Sequence, residues 1–358
     1  MHETNNRVLI VDDSPFMCQL LRVMLASEDF IVETARDGQE AIDKVRSFRP
    51  NVITLDIEMP VMTGLEALQV IMDEFPTPVI IVSSQTTRGA EISLRALEAG
   101  AFDIIAKPKG DSSIDNDTFK RDLITKIKIA KLVPAEKLRK SKGSVLPVLS
   151  IAKTVRSSPL PVVVIGTSTG GPTALQTVLT QIPKGFSSPI LVVQHMPKGF
   201  TRMMAERLDG ICELTVKEAQ DGEKVHPGKV LIAPGGMQMF LEVSGTQIVA
   251  RVVEEHANKT PYKPSVNVLF ESAADVYGDR VIALVLTGMG SDGLEGCKKL
   301  KEKGATILAE SEQSCIVYGM SKCIVDAKLA DSIVSLPEIG ETLIQTVYGR
   351  ERGVGDEL

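Results

Sequence analysis

Short β-branched runs alternate with segments of helical periodicity twice along this chain, once before and once after a stretch that has no strand pattern. The first series pairs a run at 8–11 with a helical pattern at 15–27, a run at 52–55 with one at 64–74, and a run at 79–82 with one at 89–99. The second pairs 161–165 with 172–182, then continues through runs at 190–193 and 281–286 to a helical pattern at 294–303. Parallel strands need a crossover of a dozen or more residues, which a helix supplies, so this alternation predicts parallel sheets with helices on their faces. A chain of 358 residues also exceeds what one hydrophobic core usually serves. The expected architecture is α/β, with two doubly wound parallel-sheet domains over 1–130 and 159–350 and a linker over 131–158. Short strand-like runs separated by Gly and Pro at 211–256 read as a hairpin-rich insertion in the second domain.

In the first helix Ser14 can cap the orphan amides and Pro15 supplies a fixed φ, while Phe16, Leu20, Leu21, Met24 and Leu25 recur at helical spacing. A helix over 118–133, with Phe119, Leu123, Ile127 and Ala130 at helical spacing, is expected to close the first domain. The lysine- and arginine-rich stretch beyond it reads as an extended, solvated linker. Apolar runs fall far short of the roughly 18 residues a membrane span requires. The N-terminus lacks a basic leader followed by an apolar stretch, so a cytoplasmic location without membrane insertion is expected. The five cysteines form no CxxC pair, as expected of reduced thiols rather than zinc ligands. A net charge of −6 and 4% aromatic residues leave neither a basic footprint nor stacking platforms for nucleic acid.

Three carboxylates stand at predicted strand ends: Asp12 and Asp13 after the first run, and Asp56 after the second. The carboxyl ends of strands in an open parallel sheet line one crevice, so these acids should converge there. Converging carboxylates repel unless a cation intervenes, and Mg²⁺ suits them because it prefers hard oxygens in octahedral geometry. Ser83 ends another strand and Lys107 precedes Pro108, where its ammonium can neutralise a phosphate. This order of DD, D, S and KP resembles the response-regulator receiver family over residues 7–130. The resemblance implies a flavodoxin-like receiver domain in which Asp56 accepts a phosphoryl group from a histidine kinase. It further implies that Asp13 binds Mg²⁺ directly, Asp12 through water and Glu58 through its backbone carbonyl, with Ser83 and Lys107 as the switch pair.

In the second domain the run 162–165 leads into Gly166-Thr167-Ser168-Thr169-Gly170-Gly171-Pro172, a strand, a tight glycine-flanked turn and a helix start. Such a turn exposes one side chain beside free helical amides, which would favour a serine alkoxide and could equally cradle a phosphate. His195 directly follows the run ending at Gln194, and Asp292 follows Thr287-Gly288-Met289-Gly290-Ser291 after the run at 281–286. One open sheet would bring an alcohol, an imidazole and a carboxylate to the same edge, the set needed for nucleophilic catalysis. Of the four histidines, His2 lies in a terminus, His226 in a Pro-Gly turn and His256 in a polar loop, which makes His195 the best-placed base. The chain order Ser168, His195, Asp292 differs from the Ser, acid, His order of α/β-hydrolases.

GTSTGGP, VVQHMP, VLIAPGG, KPSVNVLF and LTGMGSDG resemble, in order and spacing, the chemotaxis protein-glutamate methylesterase (CheB) family over 160–347. Departures are slight: Thr167 stands for the family's usual alanine and Ser291 for its usual asparagine. The resemblance implies a Rossmann-like methylesterase domain that hydrolyses glutamate methyl esters on the cytoplasmic domains of methyl-accepting chemoreceptors, with no cofactor for the esterase, and leaves glutamine amides open as a second substrate. Ser168 would be the nucleophile, His195 the base and Asp292 its orienting acid. Met289 would supply an oxyanion amide, with Gly170 as a second candidate, and Thr169 would help position His195. Phosphorylation would then control the esterase, the unphosphorylated receiver shielding the Ser168 edge. A phosphorylation-controlled binding module would lack serine reactivity, and a transcriptional regulator would need a basic helix-turn-helix after residue 160, which the acidic α/β pattern does not supply.

Overall fold

A computed structural model describes residues 6–84, 86–108, 113–138, 160–257 and 259–353. The chain forms two compact units, Met1–Lys142 and Gly143–Leu358, each built on its own parallel sheet. Of the expected linker, residues 139–158 lie outside the described residues.

The first unit runs β1 (Arg7–Val11), α1 (Pro15–Leu25), β2 (Ile31–Ala35), α2 (Gly38–Phe48), β3 (Val52–Leu55), α3 (Gly64–Glu74), β4 (Val79–Ser83), α4 (Thr87–Glu98), β5 (Asp103–Ala106), α5 (Ser113–Ala130) and α6 (Ala135–Leu138). Its five strands are all parallel and ordered β2-β1-β3-β4-β5. The sequence pattern passed over β2 because this edge strand is only half buried and lacks a continuous apolar run. In α1 the Met17 amide donates to Ser14 Oγ, as the cap predicts. The apolar stripe is corrected, however: Met17, Leu21, Met24 and Leu25 face the core, whereas Phe16 is 69% exposed.

The second unit runs β6 (Val162–Thr167), α7 (Gly171–Leu179), β7 (Ile190–Gln194), α8 (Phe200–Asp209), β8 (Thr215–Glu218), β9 (Glu223–Lys224), β10 (Lys229–Ile232), β11 (Gln238–Ser244), β12 (Gln247–Val253), α9 (Val266–Tyr277), β13 (Val281–Val285), α10 (Leu294–Glu302), β14 (Thr306–Glu310), α11 (Met320–Asp326), β15 (Ser332–Val334) and α12 (Leu336–Gly353). Seven strands form a parallel sheet ordered β15-β14-β13-β6-β7-β10-β8. The expected hairpin-rich insertion is therefore only partly right. β8 and β10 extend the main sheet in parallel, and only β9, β11 and β12 form a separate antiparallel sheet. Short strands bounded by turns look alike in sequence whichever partner they take, so pairing direction could not be read from 211–256.

Both sheets reverse their winding next to their first strand, between β1 and β3 in one unit and between β6 and β13 in the other. Loops on either side of such a point leave in opposite directions and open a crevice at the strands' carboxyl ends. Helix α9 reaches that crevice because Gly166 has no side chain: a Cβ there would stand 2.4 Å from Val266 Cγ1. Phe270 of α9 is fully buried in the core between α9, α10 and the sheet, and a Cβ on Gly296 of α10 would stand 2.5 Å from its own Cβ. Phe270→Ala should accordingly destabilise this unit by about 3–5 kcal/mol, read as a lower midpoint in guanidinium unfolding.

Candidate active site and acidic pocket

Register alone brings the hydroxyl and imidazole residues side by side. β6 pairs with β7 so that Thr167 opposes Gln194, and the His195 amide then donates to the Thr167 carbonyl at 3.1 Å. Gln194 Nε2 donates to the carbonyls of Ser168 at 2.8 Å and His195 at 3.1 Å, tying the two strand exits together. On the other flank, the Ser168 amide and Thr167 Oγ1 both donate to the Thr287 carbonyl beyond β13. Thr287 Oγ1 donates to the Thr169 carbonyl, and its amide donates to the fully buried Glu310. The turn carrying Ser168 is thus held from both neighbouring strands.

His195 Nε2 lies 2.8 Å from Asp292 Oδ2. That carboxylate also accepts the Val266 amide at 2.7 Å, the Asn267 amide at 3.1 Å and Ser265 Oγ at 2.9 Å. Helix α9 therefore begins on a cap supplied by a residue from outside it, and an anion there is favoured by the helix dipole. The service is reciprocal, since Asn267 Oδ1 accepts the Gly293 and Gly296 amides at the start of α10, immediately after Asp292. Burial works to raise the Asp292 pKa, but the hydrogen bond and charge of His195 and the Val266 and Asn267 amides outweigh it and hold the carboxyl below the ordinary aspartate range.

In the tautomer that donates Nε2–H to Asp292, Nδ1 is the nitrogen left to accept a proton. Ser168 is only 6% exposed and no hydrogen bond joins it to the imidazole among the described residues, so the structure pairs imidazole with carboxylate and sets the alcohol at the adjacent strand end. Such contacts in resting sites commonly lengthen and tighten on substrate binding. Met289 follows Gly288, where a Cβ would stand 2.7 Å from Ser168 Cβ, so the Gly288–Met289 backbone runs alongside the hydroxyl. Gly170, at φ +80°, caps α7 just beyond it, and Thr169 is buried with its carbonyl on Thr287.

The first unit brings its predicted acids together as well. Ligand oxygens of Asp12, Asp13 and Asp56 lie within 4.8 Å of one another. Lys107 Nζ sits 2.7 Å from Asp56 Oδ2 and 2.9 Å from Asp12 Oδ2. Asp12 Oδ2 is buried, and although this ammonium is close, no donor is aligned on it as a hydrogen bond. Hard oxygens this close, one of them lacking a hydrogen-bond donor, fit a divalent cation. Burial raises the Asp12 carboxyl in spite of Lys107 and the Ser14 amide. For Lys107 burial opposes the charge, but Asp56 and Asp12 together hold its pKa above the usual lysine value. Gly64 permits the close start of α3, since a Cβ there would fall 2.0 Å from the Asp56 carbonyl oxygen. Ser83 Oγ donates to the Gly89 carbonyl at 3.2 Å and the Ser84 carbonyl at 3.3 Å, and the Glu58 side chain reaches Arg88 at 3.3 Å rather than the pocket.

Sequence reasoning did not find Ser265, Asn267, Gln194 or Thr287. A polar residue ahead of an apolar helix in KPSVNVLF was the one available signal for Ser265.

A group whose folded pKa is depressed contributes stability above its unfolded pKa and loses it as pH falls through the folded value. Asp292→Asn should therefore flatten the acid side of the stability profile of this unit, measured by urea unfolding in steps below about pH 5. If the unit is an esterase, the same change should cost about 10³- to 10⁴-fold in turnover, because the imidazole loses its fixed tautomer.

The chain matches the CheB methylesterase family over residues 163–343 and the response regulator receiver domain family over 8–117. It is 43% identical over 383 residues to a protein-glutamate methylesterase/protein-glutamine glutaminase of Desulfitobacterium hafniense, covering 96% of this chain and 98% of that one. A protein of the same name from Halalkalibacterium halodurans is 44% identical over 349 residues, covering 96% and 99%. The crystal structure of the Thermotoga maritima CheB methylesterase catalytic domain is 42% identical with a TM-score of 0.51, covering 53% of this chain and all of that one. No helix among the described residues is long and apolar enough to cross a membrane.

Proposed function

The chain belongs to the CheB methylesterase family, and on that premise we propose that it is a phosphorylation-controlled protein-glutamate methylesterase acting on the cytoplasmic domains of chemoreceptors. The observation that carries this reading is the 2.8 Å pairing of His195 with a buried, helix-capped Asp292 on the strand end next to Ser168. Ser168 Oγ attacks the ester carbonyl of a methylated glutamate while His195 Nδ1 takes its proton. The same proton passes to the departing methoxide, so methanol leaves and a glutamyl-serine ester remains. His195 then deprotonates water, which attacks this ester, and returns the proton to Ser168 as free glutamate is released. Asp292 stabilises the imidazolium in both halves without itself changing charge. The Met289 amide, with Gly170 as a second candidate, faces the developing oxyanion and contributes about 10²- to 10³-fold. A glutamine side chain would enter the same route with ammonia leaving, which accords with the glutaminase in the relatives' names.

In the receiver domain Asp56 accepts a phosphoryl group from a histidine kinase, and Asp12, Asp13, Asp56 itself and the Glu58 carbonyl would hold Mg²⁺. Mg²⁺ bound there would offset the charge of the phosphoryl group and the aspartates. Lys107 already touches Asp56 and can transfer its contact to a phosphoryl oxygen. Ser83 must turn away from Gly89 to reach it, which makes the hydroxyl a two-position element. Burial holds the Asp12 carboxyl above its ordinary value, so phosphorylation of Asp56, followed across an acid pH series, should weaken as Asp12 takes up a proton.

Incubation with receptors carrying labelled methyl groups tests this reading. Wild-type protein should release methanol, Ser168→Ala should release none, and a small phosphodonor should stimulate wild type by about 5- to 150-fold but leave Asp56→Asn unchanged. Near wild-type turnover in Ser168→Ala would remove the proposed nucleophile.

A further inference from the structure

One neighbour of the imidazole has no part in the scheme above. The Tyr262 ring lies against His195 with centroids 4.5 Å apart and planes only 4° from parallel. It stands at the mouth of the site, 36% exposed, so burial alone does not account for its placement. Its backbone is held by Gln238, a buried amide whose Nε2 donates to the Tyr262 carbonyl at 2.6 Å and whose Oε1 accepts the Ser265 amide at 2.9 Å. Ser265 Oγ in turn donates to Asp292. One short segment therefore carries both the ring on the face of the imidazole and donors to the carboxylate at its edge.

A hydrogen bond from Nε2 fixes one point of an imidazole and leaves the ring free to swing about that point. Swinging turns Nδ1 out of line with its proton donor, and misalignment of this size is costly in rate. A flat ring stacked on the imidazole face removes that freedom, and aromatic pairs favour such offset-parallel contact. The far end of the same side chain passes over the oxyanion turn: a Cβ on Gly290, at φ +78°, would stand 2.9 Å from Tyr262 Oη. Tyr262 thus spans the base and the turn carrying the Met289 amide.

We propose that Tyr262 is a positioning residue for the esterase reaction, holding the plane of the His195 imidazole so that its free nitrogen faces Ser168; this rests on the esterase reading above. The stack needs the flat ring and not the hydroxyl. In the full-length chain, Tyr262→Ala and Tyr262→Leu should therefore lower kcat for methanol release by about 10- to 100-fold with KM nearly unchanged, and Tyr262→Phe should restore it. The rate at which a fluorophosphonate probe labels Ser168 should fall in parallel, because labelling reports the nucleophile without receptor docking. Leucine keeps the segment filled, and unchanged circular dichroism melting in that variant separates lost alignment from lost folding.

Labelling of Ser168 at the wild-type rate in Tyr262→Ala would overturn the proposal. A rise in KM with kcat intact would overturn it too, making Tyr262 a docking contact, as would a phenylalanine variant as slow as the alanine one. If wild-type protein neither labels at Ser168 nor releases methanol, the esterase reading itself falls and takes this assignment with it. That result is distinct from the others because it appears in the control.

Discussion

Parallel pairing of β6 with β7 on one side and β13 on the other is the constraint from which the geometry of the proposed active site follows. In a parallel ladder, neighbouring strands end at the same edge, so residues that follow them in sequence emerge together however far apart they are in the chain. Ser168 and His195 directly follow β6 and β7, and Asp292 ends the turn that leaves β13. The backbone bond from His195 to Thr167 and the side-chain bonds of Thr167, Gln194 and Thr287 hold the exits in place. A slip of one residue in either pairing would turn the side chains at these exits to the opposite face.

Electrostatics then separates the two crevices, each of which opens where the strand order reverses. At the receiver edge three carboxylates converge with a single ammonium between two of them, an arrangement short of positive charge that favours a cation. At the esterase edge a single carboxylate is paired with an imidazole and wrapped by two helical amides and a hydroxyl. Asp292 can remain ionised while buried because its lone pairs are occupied, and an ionised, oriented acid is what a histidine base requires. The mutual capping of α9 and α10 through Asp292 and Asn267 makes the carboxylate that meets His195 part of the packing as well.

How far the sequence could be read depended on the range of the physics involved. Strand-end acids and hydroxyls such as Asp12, Asp56, Ser83 and Ser168 stand where a short apolar run stops, a local signal visible in a single stretch of chain. The exposure of Phe16 was misread because helical spacing defines a stripe without saying how wide the buried part is. β8 and β10 could not be told from a hairpin because parallel pairing of the two leaves no local mark and β7, which joins β10 to the main sheet, lies in another segment. Tyr262 was passed over for the same reason: nothing in a polar loop of mixed residues marks one ring as facing an imidazole 67 positions earlier.

The amino-acid sequence by itself determined the alternation of strand and helix, the residues that stop each strand, and hence which acids, hydroxyls and imidazole could share a sheet edge. Only the tertiary structure decided which imidazole nitrogen meets Asp292, that Asp292 caps a helix begun 26 residues before it, and that Tyr262 lies on the ring. Strand endings are written in neighbouring residues, where apolar patterning and turn chemistry act over a few bonds. Orientation of a side chain in a crevice is set by contacts among segments far apart in the chain, and it exists only once packing has brought them together.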